Sequence, residues 1–87
     1  MDDRSIRLQI VRNELDLSLE FASVAARAAA EGNARRLGSA RKEAQEALDT
    51  AVQTLAGVDG ICEAHLRPLR AKVSQADRQL SQLRDAG

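Results

Sequence analysis

Aromatic side chains are almost missing from this 87-residue chain: Phe21 stands alone, with no Trp and no Tyr. Their absence removes any stacking platform for single-stranded nucleic acid and leaves the core to Leu, Ile, Val and Ala. Small side chains let helix axes approach closely, but each buries little area, at about 25 cal/mol per Å². An excess of either charge is missing too. Thirteen basic and thirteen acidic side chains cancel, which argues against a general binder of nucleic acid or acidic membranes. The balance also leaves little self-repulsion, a condition permissive for oligomers. Cys62 is the single cysteine, so an intramolecular disulfide is impossible. No run approaches the roughly 20 apolar residues that span a bilayer, and Asp2 and Asp3 stand where a secretory leader is basic. A soluble, cytoplasmic chain is the expectation. Period-two alternation of β-branched residues is also absent, so no strand is expected.

What is present is helical spacing broken by glycine. A first helix is expected over about 3–30, capped by Asp2 or Asp3 and ended at Glu31-Gly32-Asn33, where Gly32 suits the left-handed position. Asn33 can then cap a second helix over about 34–56, whose first turns are weakened by Gly38-Ser39. Gly57-Val58-Asp59-Gly60 is the second break, with Gly57 as terminator and Asp59 as the next cap. A third helix is expected over about 59–84. Pro68 lies inside it, on the side away from the apolar stripe, and removes one backbone bond to Ala64. Breaks this short fold consecutive helices back on one another. The fold expected for residues 1–87 is a single all-α domain, an up-down-up antiparallel three-helix bundle.

The first helix carries two apolar stripes. At about 100° per residue, Ile6, Ile10, Leu17, Phe21, Val24 and Ala28 fall on one line. Leu8, Val11, Leu15, Leu19, Ala22, Ala26 and Ala29 fall on a second, with Arg7, Glu14 and Ser18 as a polar seam between. The arc of about 220° is roughly twice what a surface helix shows its core. The second helix has one narrow stripe, Leu37, Ala40, Ala44, Ala47, Leu48, Ala51, Val52 and Leu55. The third has Val58, Cys62, Leu66, Leu69, Val73, Ala76, Leu80 and Leu83. A helix with two stripes needs neighbours on two sides. One expectation is that Leu8, Val11, Leu15, Leu19 and Ala22 form an interface with another chain, building a larger helical bundle. The partner is then a second copy, a dimer above all, or another helical protein. The other is that both stripes are consumed inside a monomer.

Two local resemblances add to this. Phe21, Val24, Ala25, Ala28, Gly32 and Ala44 have a spacing that resembles the helical hairpin of tetratricopeptide repeats, over about 30 residues. Arg41 stands where that family carries a large apolar residue, and Leu37 where it carries a small one. The resemblance implies close packing of the first two helices. His65-Leu66-Arg67-Pro68-Leu69 resembles a compressed form of the phosphoacceptor box of sensor histidine kinases, whose dimerisation domain is also a helical hairpin. That family has two further residues within the run and carries its histidine on the first helix of the hairpin. The resemblance implies phosphotransfer through His65 as an alternative function.

Other chemistry is sparse. Cys62 and His65 share a helical face at i and i+3, and both are metal-ligand types, but they supply only half of a tetrahedral site. The plainer reading makes Cys62 a core residue and His65 an edge residue leaning toward the stripe. Arg35, Arg36, Arg41 and Lys42 are a weak candidate for anion binding near a helix N-terminus. Glu43 and Glu46 follow and neutralise much of that patch. Asp16 and Glu20 share an outward face, and Glu63 with Arg67 fits an i,i+4 pair. No catalytic residue, no cofactor and no metal site is expected, nor is enzyme activity. The function expected is a non-enzymatic helical interaction or scaffold module that binds neither nucleic acid nor membrane.

Overall fold

The computed structural model of the chain describes residues 3–86 and contains three helices, α1 (Asp3–Ala30), α2 (Ala34–Ala56) and α3 (Glu63–Ala86). The first two have the expected bounds, and their junction has the expected chemistry. Gly32 takes φ +73°, and Asn33 caps α2 by accepting the Arg36 amide on its side-chain oxygen at 3.1 Å. Asp3 sits in the first turn of α1, while Asp2, the other expected cap, lies outside the described residues.

The second junction differs. Gly57 ends α2 in a right-handed conformation, φ −85°, and the left-handed turn falls at Gly60, φ +71°. That turn keeps residues 58–62 out of a helix, so α3 begins at Glu63 rather than near Asp59. The Cys62 carbonyl accepts the amides of His65 at 2.9 Å and Leu66 at 3.0 Å, taking the first position expected of Asp59. Arg4 of α1 lies against Gly60, with its guanidinium 3.3 Å from where a Cβ would stand. Arg7 donates to the Gly57 carbonyl at 3.1 Å. The junction is therefore strapped to the start of α1 by two arginines. From Glu63 onward α3 continues through Pro68, whose ring sits on an exposed face where water can reach the freed Ala64 carbonyl.

α1 is the spine of the bundle. It packs most extensively on α2 and less on α3, while α2 and α3 meet least. Four of the five buried α2 residues are alanines, Ala40, Ala44, Ala47 and Ala51, with Leu48 between them. They face Val11, Leu15, Ser18, Ala22 and Ala25 of α1, and the long side chains of Leu69, Leu80 and Leu83 close the core from α3. Alanine against alanine brings the α1 and α2 backbones close enough for the Ser18 hydroxyl to donate to the Ala44 carbonyl at 2.8 Å. This close approach is what the repeat-like spacing implies. The molecule is long and thin, 45 × 20 × 15 Å with a radius of gyration of 14.1 Å, against about 12 Å for a compact domain of this length.

The side of α1 that the core takes differs from expectation. The buried line is centred between the two stripes, on Ser18 of the supposed seam. Val11, Leu15 and Ala22, expected at an interface with another chain, are buried, and Leu8 and Leu19 are half-buried against the same core. Closing α2 and α3 on this side consumes that stripe. Of the large apolar side chains left exposed, Ile6, Ile10 and Leu17 belong to the other stripe of α1 and Val52 to α2.

Candidate functional site

Along the uncovered side of α1, Ile6, Ile10 and Leu17 are 45%, 42% and 39% exposed. Phe21 and Val24 continue the line half-buried, packed on the edge of the core. The cause is the width of the apolar arc. Two neighbours cover its centre and one flank, and the flank beyond α2 stays in water. Beside Leu17 lies a shallow groove between α1 and α2, lined by Glu14, Leu17, Glu43, Glu46, Ala47 and Thr50. Ala47 makes its floor low, and three carboxylates make its rim. None of the three pairs with a cation among the described residues. Two carboxylates elsewhere are matched: Asp16 holds Lys72 at 2.8 Å, and Glu63 holds Arg70 at 3.2 Å in place of the expected Arg67.

The weak contact between α2 and α3 opens a second surface along their seam. Leu48, Val52 and Val73 line its middle together with Asp49 and Asp77. Val52, Leu55, Val58, Ile61, Leu66 and Arg70 line its end near the α2–α3 junction. At the opposite end stand Gly38, Arg41, Lys42, Gln45, Glu46 and Leu80. The four basic residues expected to share one anion site are thus divided. Arg41 and Lys42 lie in the seam beside Glu46, while Arg35 and Arg36 are exposed on the first turn of α2.

Cys62 is exposed rather than part of the core, because α3 begins one residue after it and the apolar stripe has no helix to continue on there. His65 is exposed as well, in the first turn of α3. Among the described residues no group of three His, Cys, Asp or Glu side chains is placed to hold a metal ion. No helix of the described residues is long and apolar enough to cross a membrane.

The carboxylates Glu14, Glu43 and Glu46 were not legible as a group, since they come from two helices whose rotation about each other the spacing leaves open. A signal for that rotation was present, however. Small residues recur at positions 18, 22 and 25 of α1 and at 40, 44, 47 and 51 of α2, and small faces pack on small faces. Aligning those lines places Leu17 at the α1–α2 edge, next to Glu43 and Glu46. No known protein family matches the chain, and no similar protein is found among curated proteins or among solved structures.

Proposed function

We propose that this chain is a non-enzymatic helical interaction module, and that its docking surface is the uncovered line of α1. The observation that carries this reading is the row of Ile6, Ile10 and Leu17, each about two-fifths exposed on one side of one helix. Isolated exposed aliphatic residues are ordinary. Ile6 and Ile10 stand at i and i+4, and Leu17 continues with the half-buried Phe21 and Val24 at i, i+4 and i+7, the spacing at which an amphipathic helix packs. Of the stripe that sequence spacing offered to another chain, Val11, Leu15 and Ala22 are buried in this chain's own core and Leu8 and Leu19 are half-buried against it, which favours the other line for the role.

A neutral amphipathic peptide, leucine on one face and glutamine elsewhere, is the probe for this surface. Titrated into the isotopically labelled chain, it is expected to shift the amide resonances of residues 6–24 and the facing edge of α2. Leu17→Gln and Ile10→Gln should each weaken the binding several-fold, because each removes a partly buried aliphatic anchor worth about 1–2 kcal/mol. Shifts confined to the α2–α3 seam, or affinity unchanged in both variants, would overturn the assignment.

A further inference from the structure

We infer that the partner of the α1 line is a basic amphipathic helix from another protein rather than a second copy of this chain. The inference rests on the reading of that line as the docking surface. Leu17 is flanked on the α2 side by Glu14, Glu43 and Glu46. On its other side, one turn along α1, stands the exposed Glu20. The apolar line therefore runs between two acidic margins at its middle. Arg7, next to Ile6 in the sequence, is turned to the Gly57 carbonyl, to which it donates at 3.1 Å. A helix laid along this line puts its apolar face on Ile10 and Leu17 and its flanking positions over carboxylates. Lysine or arginine there can lay an aliphatic stem on the apolar rim and carry the charge to the glutamates.

A second copy lacks that complement. In an antiparallel two-fold pair through the same line, the two α2 edges fall on one side of the seam and set Glu14, Glu43 and Glu46 against their own equivalents. In a parallel pair the same rim meets the flank that bears Glu20. Either way like charges face each other, which works against the pairing. The acidic margins equally disfavour a nucleic-acid backbone or an anionic membrane as the occupant.

The test uses the whole chain and two fluorescent helical peptides of about five turns. They share one leucine line and differ only in having lysine or glutamate at the flanking positions. Anisotropy titration is expected to show the lysine peptide binding about tenfold tighter, the combined effect of three exposed ion pairs, with the advantage shrinking as salt is raised. The triple variant Glu14→Gln, Glu43→Gln, Glu46→Gln should bind both peptides alike, and circular dichroism should show it folded because none of the three carboxylates is buried. Equal binding of both peptides, lost in Leu17→Gln, would leave the docking line in place and overturn the charge inference. Failure of both peptides to bind, or binding that neither Leu17→Gln nor the triple variant alters, would overturn the docking line itself. A dimer of the free chain in light scattering, dissociated by Leu17→Gln, would assign the line to a second copy and refute the basic partner.

Discussion

Ser18 is fully buried, and its hydroxyl donates to the Ala44 carbonyl at 2.8 Å. That carbonyl lies within α2, where the helix ladder also uses it, so removing the hydroxyl strands no buried partner. What the position requires is smallness, since Ser18 lies where α1 meets the alanines of α2. Ser18→Ala should therefore cost no more than about 1 kcal/mol. Ser18→Leu should cost roughly 1–3 kcal/mol, by prising two close-packed backbones apart. Urea unfolding of the two variants separates the possibilities. A larger loss for alanine than for leucine would make the hydrogen bond the reason for the serine. Residues whose role is set by their neighbours in sequence were legible without the structure: Gly32 as a left-handed terminator, Asn33 as a cap. Ser18 was not, because spacing places it only in a polar seam between two apolar lines, and the side that the partner helix takes decides whether that seam is buried.

The elements divide in the same way. α1 and α2 begin and end where Gly32 and Asn33 dictate. The start of α3 shifted because two glycines, Gly57 and Gly60, compete to terminate and only Gly60 takes positive φ. Cys62 and Val58 fit the helical spacing of the α3 stripe, yet both precede the helix. Spacing alone cannot show where a periodic run stops being helical. Glycines inside and outside the elements make opposite predictions. Gly38 lies within α2 with no atom within 4 Å of where a Cβ would stand, and its φ is not positive. Gly38→Ala should stabilise the protein by about 0.5–1 kcal/mol through helix propensity. Gly32 is equally unobstructed but holds φ +73°. Gly32→Ala should destabilise by about 1–2 kcal/mol, entirely through the backbone. Thermal unfolding of the pair checks both signs, and a stabilising Gly32→Ala would contradict the left-handed turn that joins α1 to α2.

At the scale of the whole molecule, stability is distributed unevenly along the bundle. α1 and α2 share the longest interface, while α3 is held mainly through α1 and touches α2 least. Within α3 the apolar anchors are also uneven. Glu63, Ala64, His65, Arg67 and Pro68 are exposed and Leu66 is half-buried, so the first buried side chain is Leu69. The remaining anchors, Ala76, Leu80 and Leu83, lie toward the other end. Pro68 adds to the weakness by removing a helix hydrogen bond in a stretch with no core contact. The up-down-up topology was legible from the short breaks, but this imbalance was not, because equal stripes on α2 and α3 gave no measure of how closely the two helices approach. Such a segment opens below the free energy of global unfolding. Native-state hydrogen exchange should accordingly find amides of residues 63–70 exchanging well before those of residues 40–51, with residues 76–83 between them. Leu80→Ala should cost about 2–5 kcal/mol and bring the far end of α3 to the same fast exchange, while the central amides of α1 and α2 remain the last to exchange. Uniform exchange across the three helices would mean that α3 and the α1–α2 pair unfold as one unit, and that the narrow α2–α3 contact is sufficient to couple them.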